Sequence, residues 1–199
     1  MFTGIVELAT VRAVRKDVRG HRLTLRLPSG VGRLKVGESL AVNGACLTVA
    51  QRNGSTVACD AVPETWRRTN FARLRAGARV NVERPMRSAD RVHGHFVLGH
   101  VDGTGTVMAR TRRRDDVAVT LRVPRGFRRW LVRKGSLTVD GVSLTIGAVR
   151  GGTVRVYLVP HTLRHSTLGA LRPGDPVNLE ADYLLKWASL WMLPHRRNL

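Results

Sequence analysis

A thiol and a hydroxyl occupy the same place in two copies of one phrase. Residues 43–50 read NGACLTVA and residues 140–147 read DGVSLTIG, with Cys46 in the first and Ser143 in the second. Cysteine is well suited to act as a nucleophile or to relay a proton near neutral pH, and serine does either when a neighbour shares its proton. In a strand leaving an Asn-Gly or Asp-Gly turn, Cys46 and Thr48 point to one face and Leu47 to the other. Ser143 and Thr145 do likewise about Leu144. A cysteine there can equally be a small buried hydrophobe, and threonine in a strand is ordinary. Recurrence favours chemistry: the same polar pair stands twice beside a glycine-bearing turn, where backbone can approach a ligand closely.

A second source of chemistry is HGHFVLGHVDG at 93–103. Its three histidines lack a further ligand at metal-site spacing, so no metal is expected. Read as a strand, the segment puts His93 and His95 on one side and His100 on the other. His95 reads as a structural histidine bonded to backbone. His100 falls where the first copy has Ile5, and a titratable residue at a barrel-core position is the better functional candidate. Asp182 stands just after VNLE, as a helix cap and a candidate acid together. No paired carboxylates, nucleophile elbow, P-loop or dinucleotide fingerprint occurs, which disfavours phosphate and nicotinamide chemistry.

The elements that must position these groups are duplicated too. Asn43 and Asp140 lie 97 positions apart, and the same offset carries VPETWRRTNFARLRAGARVNVE at 62–83 onto VPHTLRHSTLGALRPGDPVNLE at 159–180 without a gap. Near the start the offset slips, and GIVELATV at 4–11 aligns best with GHVDGTGTV at 99–107. Self-similarity at this length means two copies of one domain rather than a solenoid. In each copy, about six short runs alternate with period two between Gly, Pro, Asn and Asp signals. The expected fold is all-β: two tandem six-stranded antiparallel barrels of Greek-key type, each with a short helical turn before its last strand. The expected units are 1–90, 91–181 and a C-terminal helix in 182–199. In that helix Leu184, Trp187, Ala188 and Trp191 share a face that Tyr183 and Leu190 widen, with Asp182 as cap and Pro194 as stop. Such a face calls for a cover, and a subunit interface fits best.

The chain has 199 residues, 43% of them hydrophobic, which is enough for a buried core. It has no apolar run near the ~18 residues of a membrane span and no basic segment ahead of an apolar one, so a cytoplasmic setting is expected. Two cysteines are too few for a disulfide framework. The net charge of +20 invites a nucleic-acid reading. That reading needs a focused basic surface with aromatic platforms, whereas here arginine is scattered and aromatics are scarce. The one dense cluster, ARTRRRDD at 109–116, is closed by two acids and reads as a solvated turn.

Taken together, MFTGIVE, NGACLTV, PETWRRTN, VNVER, GHFVLGHVDG, KGSLTVDGVSLTI, VPHTLRHSTLG and VNLEAD resemble the motifs of riboflavin synthases, in order and over essentially the whole chain. The resemblance implies two lumazine-binding barrels and a C-terminal helix, assembled as a homotrimer. It implies a transferase acting on 6,7-dimethyl-8-ribityllumazine in riboflavin biosynthesis, without metal or added cofactor. The basicity is atypical of that family and points either to a specialised paralogue or to an acidic partner such as lumazine synthase. Carried over by motif, Cys46 is the nucleophile or proton-transfer group of the first site, with Ser39 and Thr48 near it. The second repeat contributes His100, Ser143, Thr145 and Asp182, while Phe2 and Thr3 match the family's catalytically important start. Ligand contacts are implied from Gly4, Ile5 and Val6; from Cys46, Leu47 and Thr48; and from Asp60, Ala61, Val62, Pro63, Glu64 and Thr65. In the second half they are Gly99, His100 and Val101; Lys134; Ser143, Leu144 and Thr145; and Val159, Pro160, His161, Thr162, Leu163 and Arg164. The chain departs from the family in reading His93-Gly94-His95 for Gly-Gly-His, and in placing Leu98 before Gly99. Two other readings are weighed against the enzyme: a non-catalytic lumazine- or flavin-binding relative, which has no need of all four of Cys46, His100, Ser143 and Asp182, and a basic double barrel binding nucleic acid.

Overall fold

Alternating apolar residues and left-handed turns build the same barrel twice. The computed structural model describes residues 1–17, 20–113 and 116–192. Strands β1 (Glu7–Asp17), β2 (Gly20–Arg26), β3 (Ser39–Val42), β4 (Ala45–Asn53), β5 (Thr56–Ala61) and β6 (Arg79–Glu83) close in the order β1-β2-β5-β4-β3-β6. Strands β7 (Gly103–Arg113), β8 (Asp116–Arg122), β9 (Ser136–Val139), β10 (Val142–Arg150), β11 (Thr153–Leu158) and β12 (Pro176–Ala181) close in the equivalent order. All pairs are antiparallel, as the sequence pattern predicts.

The β3–β4 and β9–β10 hairpins turn on Asn43-Gly44 and Asp140-Gly141. All four residues have positive φ, the two-residue turn whose twist suits a hairpin. Register shifts at Val11/Ala13, Val49/Gln51, Val107/Ala109 and Ile146/Ala148 fall at matching places in the two barrels and help each sheet curl shut. One side of each sheet is the core: Val11, Leu23, Leu40 and Val49 in the first barrel, where Phe71 packs in from the helical turn at 70–73, and Leu121, Leu137, Ile146, Val156 and Leu179 in the second. Cys59 lies wholly inside the first, and burial pushes its thiol up to about 12, so it is chemically silent.

The short helices α1 (Pro63–Arg68) and α2 (Pro160–His165) start with proline at their first turn, where no backbone donor is missed. Helix α1 is fixed by Trp66, which stacks on His21 with ring centroids 3.8 Å apart. Helix α3 (Tyr183–Met192) follows β12, and Asp182 caps it by accepting the Leu184 N–H at 2.9 Å, as expected. Of the helix signals, Pro194 and the side chains of Leu190 and Trp191 lie outside what is described, as do Arg114 and Asp115 of the basic cluster. Lys186 ties α3 to the barrel through Asp102 at 2.9 Å, with only 18% of either side chain exposed. No helix among the described residues is long and apolar enough to cross a membrane.

The barrels meet about a pseudo-twofold axis between the hairpin turns. A Cβ added to Gly44 would lie 2.8 Å from the Gly141 nitrogen, and the reverse holds equally. Around that contact is a buried amide network. Asn81 donates to the Asp140 carbonyl and Asn178 to the Asn43 carbonyl, each at 2.8 Å. Asn70 donates from Nδ2 to Asp140 Oδ1 at 2.9 Å. Burial pushes the Asp140 carboxyl up to about 7, against the Asn178 N–H, which donates to Oδ1 at 2.7 Å, and the Asn70 amide, which both pull it down.

Candidate functional site

The chain segments that precede β1 and β7 each cross to the other barrel. Cys46 donates its N–H to the Gly99 carbonyl at 2.9 Å, and Ser143 donates its N–H to the Gly4 carbonyl at 2.9 Å. Val101 thus packs on the first core and Val6 on the second. The two straps are joined by the Phe2–Val97 bridge, with Phe2 completely buried. Each strap is also held by a buried carboxyl that closes a barrel. Glu83 accepts from the Thr3 and Gly4 N–H groups at 2.6 and 2.9 Å, and Glu180 accepts from those of Leu98 and Gly99 at 2.8 and 3.0 Å. Burial raises both carboxyls above their usual range, and these hydrogen bonds offset part of that rise.

Only glycine suits the crossing points. At φ +80°, a Cβ on Gly99 would lie 2.6 Å from the Cys46 Cβ; at φ +81°, one on Gly4 would lie 2.5 Å from the Ser143 Cβ.

In the first barrel this crossing makes a cleft of about 200 Å³ lined by Ala45, Cys46, Val62, Glu64, Thr65, Arg68, Thr69, Gly99, His100 and Val101. His100 is therefore exposed beside Cys46 and is not a barrel-core residue, because 91–102 is irregular chain apart from the Val97 bridge. The alternation expected for His93, His95 and His100 fails for the same reason. Ser39, Thr48 and Asp60 form one rung across β3, β4 and β5, two residues along the strand from Cys46. Asp60 pairs with Arg22 at 2.6 Å. Pro63 is exposed, while Ala61 and Leu47 turn their side chains into the core, so Leu47 can meet a ligand only through its backbone.

The Ser143 side repeats the plan. Gly4, Ile5 and Val6 cross β10, and Val159–Arg164 supply the helical wall, with Ile5, Val159 and Arg164 exposed and Leu163 packed on the core. Pro160, His161 and Thr162 open α2, where His161 stacks on His165 at 4.2 Å. Leu144 is buried like Leu47, and Thr145 is exposed like Thr48. Lys134 stands apart, beyond the Ser136–Thr145 rung, at positive φ where the first repeat has Gly37. The backbone bond expected for the His95 ring gives way to two side-chain hydroxyls. The ring's Nδ1 meets Ser143 Oγ at 2.7 Å and its Nε2 meets Thr138 Oγ1 at 3.3 Å. Asp182 is near enough for its charge to act on that ring.

Beside the Cys46 cleft, and sharing His100 with it, runs an apolar groove of about 380 Å³ lined by Leu98, Arg129, Trp130, Tyr183, Lys186, Trp187 and Ser189. Trp187 is 54% exposed there.

The model of the lumazine binding domain matches the chain twice, over residues 3–85 and 98–182. Riboflavin synthase of Bacillus subtilis is 37% identical over 199 residues, covering 100% of this chain and 92% of that protein. Riboflavin synthase of Mycobacterium bovis is 41% identical over 198 residues, covering 96% and 98%. The chain belongs to the riboflavin synthase family. LumP complexed with riboflavin, 24% identical, superposes with a TM-score of 0.84 over 91% of this chain and 99% of its own, and shows the same fold.

For a member of the riboflavin synthase family, the sequence reading missed several site residues. Arg68 and Thr69 line the cleft, and Glu83 and Glu180 hold the straps. The acids were visible as the repeated end of VNVE and VNLE, 97 positions apart. Nothing in local pattern marks Arg68 among so many arginines.

Proposed function

We propose that the chain is a riboflavin synthase. It joins two molecules of 6,7-dimethyl-8-ribityllumazine, moving a four-carbon unit from one to the other, and releases riboflavin and 5-amino-6-ribitylaminopyrimidinedione. The observation that carries this reading is the pair of crossings: one plan of strand, strap and helical turn, used twice, suits two copies of one ligand. Two copies of that substrate supply every atom of both products, so the reaction calls for no oxidant, metal or other cofactor.

The ring of the lumazine already acidifies its 7-methyl protons, and the main demand on the protein is to hold a second molecule within reach of the carbanion. Cys46 is the nucleophile or proton relay of the first site, with Ser39 and Thr48 along the same face and His100 at the rim. Ser143, Thr145 and Asp182 serve the second. Phe2 acts through its burial, which anchors the strap that presents Gly4. Backbone groups of the straps and of the helical turns read the polar edge of the ring.

A cleft of about 200 Å³ is small beside the ~300–1,000 Å³ of ligand pockets, so a facing surface must complete it. A homotrimer joined through the apolar face of 182–199 supplies one, setting the Cys46 cleft of one copy against the Ser143 side of the next. In this assembly 1–90 and 91–181 are the two lumazine-binding units. The protein acts in the cytoplasm, and its +20 charge suits association with lumazine synthase as an acidic partner.

The test is direct: purified protein is incubated with 6,7-dimethyl-8-ribityllumazine alone, and riboflavin is followed by absorbance and fluorescence. Stoichiometric appearance of riboflavin is expected. Tight binding without turnover overturns the enzyme reading and leaves a lumazine-binding protein.

A further inference from the structure

Ser143 has a partner that Cys46 lacks. In register, Ser143 faces Thr138 across β9–β10, whereas Cys46 faces Ala41 across β3–β4. Into the first of these pairs the strap inserts His95, whose ring joins the two hydroxyls through its two nitrogens. Among the described residues no imidazole bonds the Cys46 sulfur.

The insertion is built rather than incidental. The His95 N–H donates to the Thr3 carbonyl at 3.2 Å. Gly94 passes so close that a Cβ there would lie 2.8 Å from the Ser143 Cβ and 3.0 Å from its Oγ. Burial pushes the ring's pKa down, and Asp182, the charged group that acts on it, pulls the other way. A neutral imidazole has one acceptor and one donor nitrogen. With Nε2–H donating to Thr138 Oγ1, Nδ1 accepts the Ser143 hydroxyl proton, and the Ser143 oxygen then presents lone pairs to whatever lies in the pocket.

We infer that His95 is a positioning residue of the second site: it fixes the Ser143 hydroxyl so that Ser143 Oγ accepts a hydrogen bond from the bound lumazine. This rests on the riboflavin synthase reading and assigns to the Ser143 side a ligand edge carrying an N–H or O–H donor. Protonation of His95 reverses the polarity, because Nδ1–H must then donate to Ser143. Acid therefore weakens the second site.

Four proteins test this: wild type, His95→Ala, Ser143→Ala and the double variant, with lumazine binding followed by its fluorescence and turnover by riboflavin formation. His95→Ala is expected to raise KM and the dissociation constant about tenfold, with kcat changing less than threefold. In the Ser143→Ala background the same change adds less than twofold, because the two residues act as one unit. His95→Asn, whose side-chain oxygen can take the place of Nδ1, stays within about threefold of wild type and flattens the acid limb of the pH profile of kcat/KM. Additive effects of His95→Ala and Ser143→Ala overturn the inference. So does a lowered Tm with unchanged KM, or an acid limb that survives His95→Asn. Wild type that binds lumazine without turnover sinks the enzyme reading instead, and the binding arm still reads the coupling.

Discussion

The Cys46 and Ser143 crossings share a backbone and some outward side chains, Thr48 with Thr145 and Val62 with Val159 among them, but differ at the groups best able to do chemistry. Strand register, the strap glycine at positive φ, the acid that grips the strap and the proline-started helix recur at both. Yet Cys46 answers to Ser143, Ala41 to Thr138, His100 to Ile5, Asp60 to Tyr157, and the pair Glu64 and Arg68 to His161 and His165. The first site carries a thiol, an exposed imidazole and an ion pair; the second carries a serine held by a half-buried histidine. The shared features hold one ring system in one way. The differences let two identical ligands take unlike parts.

The sharpest way to break this comparison is to break what is shared. Gly99→Ala adds a left-handed penalty of about 1–2 kcal/mol to a backbone clash at Cys46. Gly4→Ala does the same at Ser143. Each is expected to cost about 3–5 kcal/mol in urea unfolding and to abolish turnover. If one were tolerated, the two straps would not be equivalent scaffolds.

That equivalence was only half legible in sequence. The barrels could be read because period-two alternation, Asn43-Gly44 and Asp140-Gly141 are local signals, and the offset of 97 fixed their correspondence. The exchange of straps was not legible, since whether Val6 packs on one core or the other depends on tertiary docking rather than on residues 1–10. Treating 93–100 as a strand misplaced His100, because its backbone is shaped by the crossing at Gly99 and not by a ladder. Cys46 and Ser143 were found because they are repeated; His95 was undervalued because its partners lie 48 and 43 residues away.

At the axis between the barrels, Asp140 stands where the first repeat has Asn43, and Thr167 where it has Asn70, with the Thr167 hydroxyl finding no partner among the described residues. A buried carboxyl at about 7 rather than its ordinary 3.8 means that the folded state binds the proton more tightly than the unfolded state. Stability is therefore highest at acid pH with respect to this group, falls as pH rises from about 4 to 7, and is lower by at most about 4 kcal/mol above that window. Asp140→Asn makes the two turns alike. It should stabilise the protein by about 1–3 kcal/mol at pH 8 and by little at pH 4, read by urea unfolding at both values. Equal effects at the two pH values would mean that the carboxyl is not the source of the slope.

The thiol is the next distinction to remove. Cys46→Ser gives both crossings the same group, without the histidine that serves Ser143. Turnover is expected to fall about tenfold, equivalent to 1.4 kcal/mol of barrel-specific chemistry, while the lumazine dissociation constant moves less than threefold. Equal losses in turnover and binding would show that Cys46 only shapes the cleft.

The smallest expected effect belongs to the most visible difference on the helical walls. Glu64 and Arg68 pair at 3.1 Å with 66% and 58% of their side chains exposed, so water and salt screen them. Removing the carboxylate by Glu64→Ala should cost no more than about 0.5 kcal/mol and shrink further as salt is added. Arg68 would remain in the cleft wall with its charge unbalanced, and KM should change by no more than about twofold. The matching His161 and His165 stack through their rings and carry no such pair, so His161→Ala should show no comparable salt dependence. A larger or salt-insensitive loss at Glu64 would mean that the ion pair is desolvated when the cleft is covered, which would make it part of the binding surface rather than its rim.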